Sequence, residues 1–263
     1  MKELFIRSIS GFVYASIILI SIFYSPISLF ILIFIFSSLA IWEFQRLINF
    51  LNPLPILILG LLIINFYLNL LNIKVINIIL YSCLFTNIVL VFFLISNKQI
   101  KYNILNKAYL TFFYISFSCF FIIQIPFLKN EYKPELIAFF YLTIWTNNSF
   151  AYVFGKRFGK KKLIPKISPK KSWEGFSYGT LFTLFLTYVM NKQFSLFENS
   201  KLLILVFSIC ILATFGDLVE SYFKRIAEVK DSGSLIPGHG GFYDRMDSVI
   251  FTAPFYFILL KIT

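Results

Sequence analysis

The sequence predicts an all-α integral membrane protein with about nine transmembrane helices and a cytoplasmic N-terminus. Three observations support this fold class. Hydrophobic residues make up 59% of the 263 residues, charged residues make up 14%, and the mean hydropathy is +0.81, whereas soluble domains are usually about a quarter charged. Apolar runs long enough to cross the hydrocarbon core recur along the chain. Lys and Arg residues lie mainly on one side of these runs.

The apolar runs define the predicted spans in order. We place them at residues 8–25, 27–44, 54–72, 75–95, 108–128, 136–154, 175–190, 201–220 and 246–262. The first two are separated by Tyr24-Ser25-Pro26, which predicts a turn. The sequence shows no separate soluble domain, so we predict one polytopic domain over residues 1–263, with the catalytic site in the C-terminal half, about 136–262.

The distribution of basic residues predicts the orientation. With nine spans, 18 of the 24 Lys and Arg residues fall on the side of the N-terminus and 6 fall on the other side. Cytoplasmic loops carry the excess of Lys and Arg in membrane proteins. We therefore expect the N-terminus and both long polar segments, 155–175 and 221–247, in the cytoplasm. We expect the membrane to be a bacterial cytoplasmic (inner) membrane.

The aspartates are concentrated near the C-terminus. The chain has four of them, Asp217, Asp231, Asp244 and Asp247. Carboxylates near a membrane are costly and tend to be functional, and Mg²⁺ prefers oxygen ligands and often retains substrate phosphates. Asp244 and Asp247 are three residues apart and share one face of a helix, as do Asp217 and Glu220. Spacing alone is equally compatible with helix caps and surface ion pairs.

Two polar loops flank these carboxylates. The single histidine, His239, lies among three glycines, which allow backbone N–H groups to face an anion; a histidine satisfied within a tight loop is the alternative. The segment from Gly155 to Gly175 contains eight basic residues. It is compatible with an anchor on anionic lipid and also with phosphate binding. The sequence contains no P-loop and no dinucleotide-binding fingerprint.

Taken together, these residues resemble the phosphatidate cytidylyltransferases, also called CDP-diacylglycerol synthases. The resemblance is carried by the segment from Ser221 to Asp247, which reads SYFKR, IAEV, KDSGSLIPGHGGFYDRMD. It extends to Gly216-Asp217-Leu218, to Phe158-Gly159-Lys160, to the segment from Ile167 to Gly175 (ISPKKSWEG), and to Ala40-x-Trp42-Glu43. The first 35 residues and most spans match in hydrophobicity only.

The resemblance implies transfer of CMP from CTP to phosphatidate, which gives CDP-diacylglycerol and pyrophosphate. It implies that CTP and membrane phosphatidate are the partners and that no nucleic acid is bound. A homodimer is possible under this interpretation. The implied catalytic residues are Asp217, Lys224, Arg225, Lys230, Asp231, His239, Asp244, Arg245 and Asp247. The implied substrate-binding residues are Asn148, Ser168, Lys170, Lys171, Ser172, Ser221, Gly240 and Gly241. The expected cofactor is Mg²⁺, one or two ions, on Asp217, Asp244 and Asp247, with Glu220 as a further candidate ligand.

One residue departs from the family pattern. Members commonly have Asp in a run such as Trp-x-x-Asp-Ser/Thr-x-Ala-Tyr, where this chain has Asn148 between Trp145 and Tyr152. The amide keeps an oxygen but loses the charge. The alternatives to the cytidylyltransferase hypothesis are an ion or solute transporter, a related lipid-phosphate-modifying enzyme, and an inactive relative.

Overall fold

The computed structural model describes residues 2–96, 100, 102–127 and 131–262, and it confirms an all-α fold with one small exception. The helices are α1 (Lys2–Tyr24), α2 (Pro26–Leu47), α3 (Leu54–Tyr67), α4 (Ile73–Ser96), α5 (Ile104–Tyr109), α6 (Phe117–Gln124), α7 (Pro134–Phe158), α8 (Trp173–Phe194), α9 (Asn199–Ile226) and α10 (Tyr243–Ile262). A π-helical stretch, Leu110–Ser116, joins α5 to α6, and a 3₁₀ turn, Ile125–Phe127, follows α6.

The predicted spans fall on these helices. Among the described residues, four helical segments are long and apolar enough to cross a membrane: Pro26–Leu47, Ile73–Ser96, Ile104–Phe127 and Asn199–Ile226. Nine crossings stay a prediction. The fifth predicted span, 108–128, ends one residue beyond the described part of the chain. The predicted turn before α2 is confirmed, because Ser25 caps the helix by accepting a hydrogen bond from the Ser28 N–H.

The exception to the all-α prediction is a hairpin in the basic segment. Strands β1 (Lys162–Ile164) and β2 (Ser168–Ser172) pair in antiparallel register, with Lys162 opposite Ser172 and Ile164 opposite Ser168. Both strands are short and mostly polar, so they lack the alternating apolar pattern that predicts a strand. Pro165 lies in the turn, where its missing N–H costs no strand hydrogen bond. The hairpin places its lysines directly in front of α8.

Glycines bring α7 and α8 into close contact. A methyl group on Gly175 would lie 2.7 Å from the Ala151 carbonyl oxygen, and one on Gly179 would lie 2.9 Å from the Ala151 nitrogen. Small residues four positions apart allow helix backbones to approach in this way in membranes. This contact fixes the hairpin and the start of α8 against the end of α7.

Helices α9 and α10 also pack closely, at a glycine just before the first aspartate. A methyl group on Gly216 would lie 2.8 Å from the Ser248 Cα and 3.0 Å from the Asp247 carbonyl oxygen. The missing side chain of Gly216 therefore permits the close approach of the two backbones. Asp217 and Asp247 are thereby brought to facing positions on two helices.

Candidate active site

Three carboxylates meet where α9 and α10 touch. Asp217 and Glu220 come from α9 and Asp247 comes from α10, and one oxygen from each lies within 4.8 Å of the others. Glu220 and Asp247 are buried, at 2% and 7% exposure. Two oxygens on opposite sides of one Mg²⁺ are about 4.2 Å apart, so a small side-chain closure would bring all three onto one ion.

Asp244 has a different environment from the one expected. Its Oδ1 accepts a hydrogen bond from Lys224 Nζ at 2.8 Å. Its Oδ2 accepts from the Ser232 N–H and hydroxyl, both at 2.9 Å, and from the Gly241 N–H at 2.7 Å. These donors use the lone pairs that a metal would need. The geometry therefore favours Glu220 over Asp244 beside Asp217 and Asp247, and Asp244 holds the segment 232–241 in place.

Two glycines of this segment adopt backbone conformations that other residues rarely take. Gly238 and Gly240 have φ values of 73° and 82°, a region that favours glycine, and a methyl group on Gly240 would lie 2.6 Å from Asp244 Oδ2. The Gly240 carbonyl accepts a hydrogen bond from the Ile236 N–H. The Gly241 N–H points to Asp244, so it does not face open space as the anion-binding hypothesis expected.

Lys224 bridges two carboxylates. Its ammonium forms ion pairs with Glu220 and with Asp244, and its side chain is 14% exposed. The ion pair between Glu220 and Lys224 at i, i+4 is therefore present. Ion pairs of this kind were the alternative to a metal site. Charge pairing is expected for two buried acids side by side. Lys224 thus links the carboxylate cluster on α9 to the loop that Asp244 organises.

A buried glutamate from α2 holds the same loop from its other side. Glu43 is 0% exposed. Its Oε2 accepts hydrogen bonds from the Ser232 hydroxyl and the Tyr243 N–H, both at 2.9 Å. Gly233 and Gly241 pack directly on this carboxylate, because a methyl group on either one would overlap it. Glu43 and Asp244 therefore share the Ser232 hydroxyl and clamp the loop between them.

The hairpin and the ends of α7 and α8 enclose a cavity of about 560 Å³, which we call the basic cavity. Its lining includes four lysines, Lys156, Lys162, Lys170 and Lys171. The predicted substrate-binding residues Asn148, Ser168, Lys170, Lys171 and Ser172 all line it, together with Asp217. The sequence analysis expected these residues in one site, and the structure brings them together.

Lys171 connects the basic cavity to the carboxylates. Its Nζ lies 2.7 Å from Asp217 Oδ2. Ser172 is 2% exposed, and its hydroxyl caps α8 by accepting from the Gly175 N–H at 3.1 Å. Glu174 accepts hydrogen bonds from the Lys160 and Lys161 N–H groups. The pKa of the Glu174 carboxyl is lowered, first by its own backbone N–H and then by those of Lys161 and Lys160.

A second cavity, of about 340 Å³, lies on the other side of Asn148. We call it the α1 cavity, since Ser10, Gly11, Tyr14 and Ala15 of α1 form one wall. Its remaining lining includes Ile144, Trp145, His239, Asp244, Arg245 and Asp247. Asn148 lines both cavities, and its amide donates to the Ser248 hydroxyl at 3.2 Å. Asn148, the residue that departs from the family pattern, therefore lies between the two cavities.

The other predicted site residues lie around the carboxylate cluster and the two cavities. His239 lines the α1 cavity, and its Nδ1 lies 2.7 Å from the Ser10 hydroxyl. The Arg225 Nε–H donates to the Ile167 carbonyl at 3.2 Å, which ties α9 to the hairpin. The Ser221 hydroxyl lies 3.5 Å from Asp217 Oδ1. Lys230 and Asp231 are exposed, and Asp231 lines a third cavity with Trp42 and Arg46.

Sequence reasoning gave no role to Glu43 or to α1. A signal for Glu43 existed, because it is a carboxylate inside the predicted span 27–44, and such groups are functional candidates. The contribution of α1 had no comparable signal. Ser10 and Tyr14 are ordinary residues in an apolar run. Ser10 reaches the site by its contact with His239, 229 positions away, and Tyr14 lines the same cavity.

Comparison with known proteins identifies the family. The model of the cytidylyltransferase family matches residues 5–263. Three curated relatives carry the name phosphatidate cytidylyltransferase. The Bacillus subtilis protein is 40% identical over 134 residues, which cover 51% of this chain and 50% of that protein. The Staphylococcus epidermidis protein is 46% identical over 125 residues (47% and 48%), and the Haemophilus influenzae protein is 42% identical over 130 residues (46% and 44%). The chain spans about half the length of the curated relatives it matches.

Proposed function

The chain belongs to the cytidylyltransferase family, and we propose that it transfers CMP from CTP to phosphatidate, giving CDP-diacylglycerol and pyrophosphate for phospholipid synthesis. The observation that carries this proposal is the junction of two cavities at one carboxylate cluster. Asp217 lines the basic cavity, Asp247 lines the α1 cavity, and the two carboxylates face each other across the contact of α9 and α10. Two anionic substrates can thus approach one cation from opposite sides.

The carboxylate cluster fits a divalent cation. Three carboxylate oxygens within 4.8 Å form a hard, anionic donor set of the kind that Mg²⁺ prefers. We propose that Asp217, Glu220 and Asp247 hold one Mg²⁺, or two when substrate phosphates complete the coordination. The ion would screen the repulsion between the two phosphates and stabilise the charge on the leaving pyrophosphate.

The basic cavity suits the triphosphate of CTP. Lys170 and Lys156 are exposed to it, and ammonium groups bind phosphate as point charges. Lys171 pairs with Asp217 at 2.7 Å, so it can exchange this carboxylate for a phosphate oxygen when the carboxylate binds a cation. We assign the nucleotide to this side because it has four lysines and opens at the polar hairpin.

The α1 cavity suits the lipid phosphate. Arg245 and His239 supply hydrogen-bond donors, and Trp145 and Ile144 supply an apolar wall. A phosphate oxygen of phosphatidate attacks the α-phosphorus of CTP, the bond from the α-phosphorus to the bridging oxygen of the β-phosphate breaks, and pyrophosphate leaves. The attacking oxygen is already anionic, so no strong base is required, and His239 orients the phosphate as a donor.

We propose the orientation from the distribution of charge. With nine spans, 18 of the 24 basic residues would lie on the N-terminal side, and this excess supports a site in the cytoplasm of a bacterial cell and a C-terminus outside. Ser234→Cys tests this orientation, because Ser234 is exposed and the three native cysteines are buried. An impermeant maleimide should label it in inside-out membrane vesicles only. A homodimer stays a hypothesis.

The decisive experiment is turnover of the purified chain with labelled CTP and phosphatidate in mixed micelles containing Mg²⁺. We expect labelled CDP-diacylglycerol, and at least 100-fold less with Asp247→Asn. Asp244→Asn serves as the comparison: its half-saturating Mg²⁺ concentration should stay near that of the unmodified chain, while its stability falls. No product from phosphatidate, with product from archaeol phosphate or from ATP, would identify a related lipid-modifying enzyme instead. No product from any pair would indicate an inactive relative.

A further inference from the structure

We propose that the Tyr14 hydroxyl of α1 donates a hydrogen bond to the phosphate of the acceptor lipid in the α1 cavity. This inference rests on the proposed function and names a binding residue for its lipid substrate. Tyr14 lies outside every motif that carries the family resemblance. It is therefore assigned from its environment alone.

The Tyr14 ring is held in one position. It stacks on Phe36 of α2 with ring centroids 5.6 Å apart and an interplanar angle of 10°, and it touches Trp145 of α7 at 6.4 Å. Aromatic contacts of this kind fix a ring without using its polar end. The two neighbouring helices thus hold the ring and leave its hydroxyl without a partner in the described part of the chain.

The hydroxyl itself is buried and has no hydrogen-bond partner among the described residues. A buried hydroxyl without a partner costs free energy that protein structures usually avoid. The Tyr132 hydroxyl, by contrast, donates to the Ile22 carbonyl at 2.6 Å. The hydroxyls of Tyr102 and Tyr141 also have no partner among the described residues, but neither residue lines the α1 cavity. Tyr14 does line it, so its missing acceptor is explained if a ligand in that cavity supplies one.

The surroundings of Tyr14 specify an anionic and amphiphilic ligand. Arg245 lines the same cavity and offers the donor geometry that matches a phosphate. Ser10 lies one helical turn before Tyr14 and meets His239 at 2.7 Å, so α1 presents two polar side chains to one wall. Gly11 lets the His239 ring approach α1 closely, because a methyl group there would lie 3.3 Å from that ring.

The helix that forms one wall of this cavity also carries exposed apolar side chains. Phe12 and Val13 are exposed on α1, at 74% and 48%, and exposed apolar side chains on a membrane helix face lipid. A phosphate held inside by Tyr14 and Arg245 can therefore keep its acyl chains in the bilayer. CTP has no such requirement, and the basic cavity already offers it four lysines.

The test is Tyr14→Phe, with Tyr132→Phe as the matched control, in a mixed-micelle assay in which phosphatidate and CTP are varied separately. For Tyr14→Phe we expect the KM for phosphatidate to rise about tenfold, as for loss of one hydrogen bond to a charged group, and the KM for CTP to change less than twofold. The midpoint of thermal unfolding should stay the same or rise, because the lost hydroxyl had no protein partner. Tyr132→Phe should lower that midpoint and leave both KM values unchanged.

Each other outcome overturns the assignment. An unchanged KM for phosphatidate in an active Tyr14→Phe variant shows that the hydroxyl does not bind this substrate. An increase in the KM for CTP places the nucleotide, not the lipid, in the α1 cavity. A lower unfolding midpoint with both KM values unchanged shows a structural role. Failure of the unmodified chain to turn over phosphatidate refutes the proposed function itself, so the two failures are distinguishable.

Discussion

The clamp on the loop from Ser232 to Gly241 predicts that the costs of two damaging substitutions, Gly241→Ala and Glu43→Ala, are not additive. An alanine methyl at Gly241 would lie 2.5 Å from Glu43 Oε1 and closer still to Oε2. Glu43 cannot move aside easily, since it is 0% exposed and accepts two hydrogen bonds. We therefore expect Gly241→Ala to lower the free energy of unfolding by about 2–3 kcal/mol, the usual cost of overpacking.

Glu43→Ala removes the group with which that methyl collides. Alone, it leaves the Tyr243 N–H without its acceptor and removes one partner of Ser232, which should cost about 2–4 kcal/mol. The double variant should cost no more than Glu43→Ala alone, which corresponds to a coupling energy of about 2 kcal/mol between neighbours.

Unfolding by SDS in mixed micelles measures all three free energies, and Mg²⁺-dependent turnover gives a second readout of the loop. Gly60→Ala is the matched control, because its methyl would meet only the edge of Phe34 at 3.3 Å, and it should stay within about 0.5 kcal/mol of the unmodified chain. Additive costs for Glu43→Ala and Gly241→Ala, within about 0.5 kcal/mol, would refute the clamp.

Two further predictions concern the cavities and the helix contact behind them. Asn148→Asp adds a charge between the basic and α1 cavities, so it should lower the half-saturating Mg²⁺ concentration about fivefold, on the order of 1 kcal/mol of added attraction; an increase in that concentration would argue against an ion near Asn148. Gly175→Ala should lower the free energy of unfolding by about 1–3 kcal/mol, because its methyl would lie 2.7 Å from the Ala151 carbonyl. A stability equal to that of the unmodified chain in SDS titrations would contradict the close packing of α7 and α8.

The sequence predicted those parts of the site that are local in the chain. Asp217 and Glu220 share a helix face by their spacing, and Gly216 explains how α10 brings Asp247 close. The residues of the hairpin lie within one short segment, so a single resemblance identified Ser168, Lys170, Lys171 and Ser172 in the lining of the basic cavity.

The role of each carboxylate was not predictable in the same way. Asp244 and Asp247 lie on one face of α10, yet the first binds backbone donors and the second joins the carboxylate cluster. The difference depends on the path of the loop through Gly238 and Gly240, whose positive φ values direct the Gly241 N–H toward Asp244. Helical periodicity carries no information about such a path.

Contacts between distant helices were also outside the reach of sequence patterns. Ser10 and His239 are 229 positions apart, and Glu43 is 189 positions from Ser232. A periodic apolar pattern identifies α1 and α2 as helices but not the helix against which each one packs. Glu43 is unusual in the sequence because it is a charged residue in an apolar run. Tyr14 is not unusual, because tyrosine is common in this chain.

The distance along the chain between Glu43 and its partners has a consequence for biogenesis. During synthesis, α2 is made long before Ser232 and Tyr243. The Glu43 carboxylate is therefore at first without the two hydrogen-bond donors that it later binds. An unpaired acid at that depth is unstable, and it favours an early chain that stays loosely packed. The loop before α10 and the first residue of α10 therefore supply the hydrogen bonds that Glu43 lacks when α2 is made.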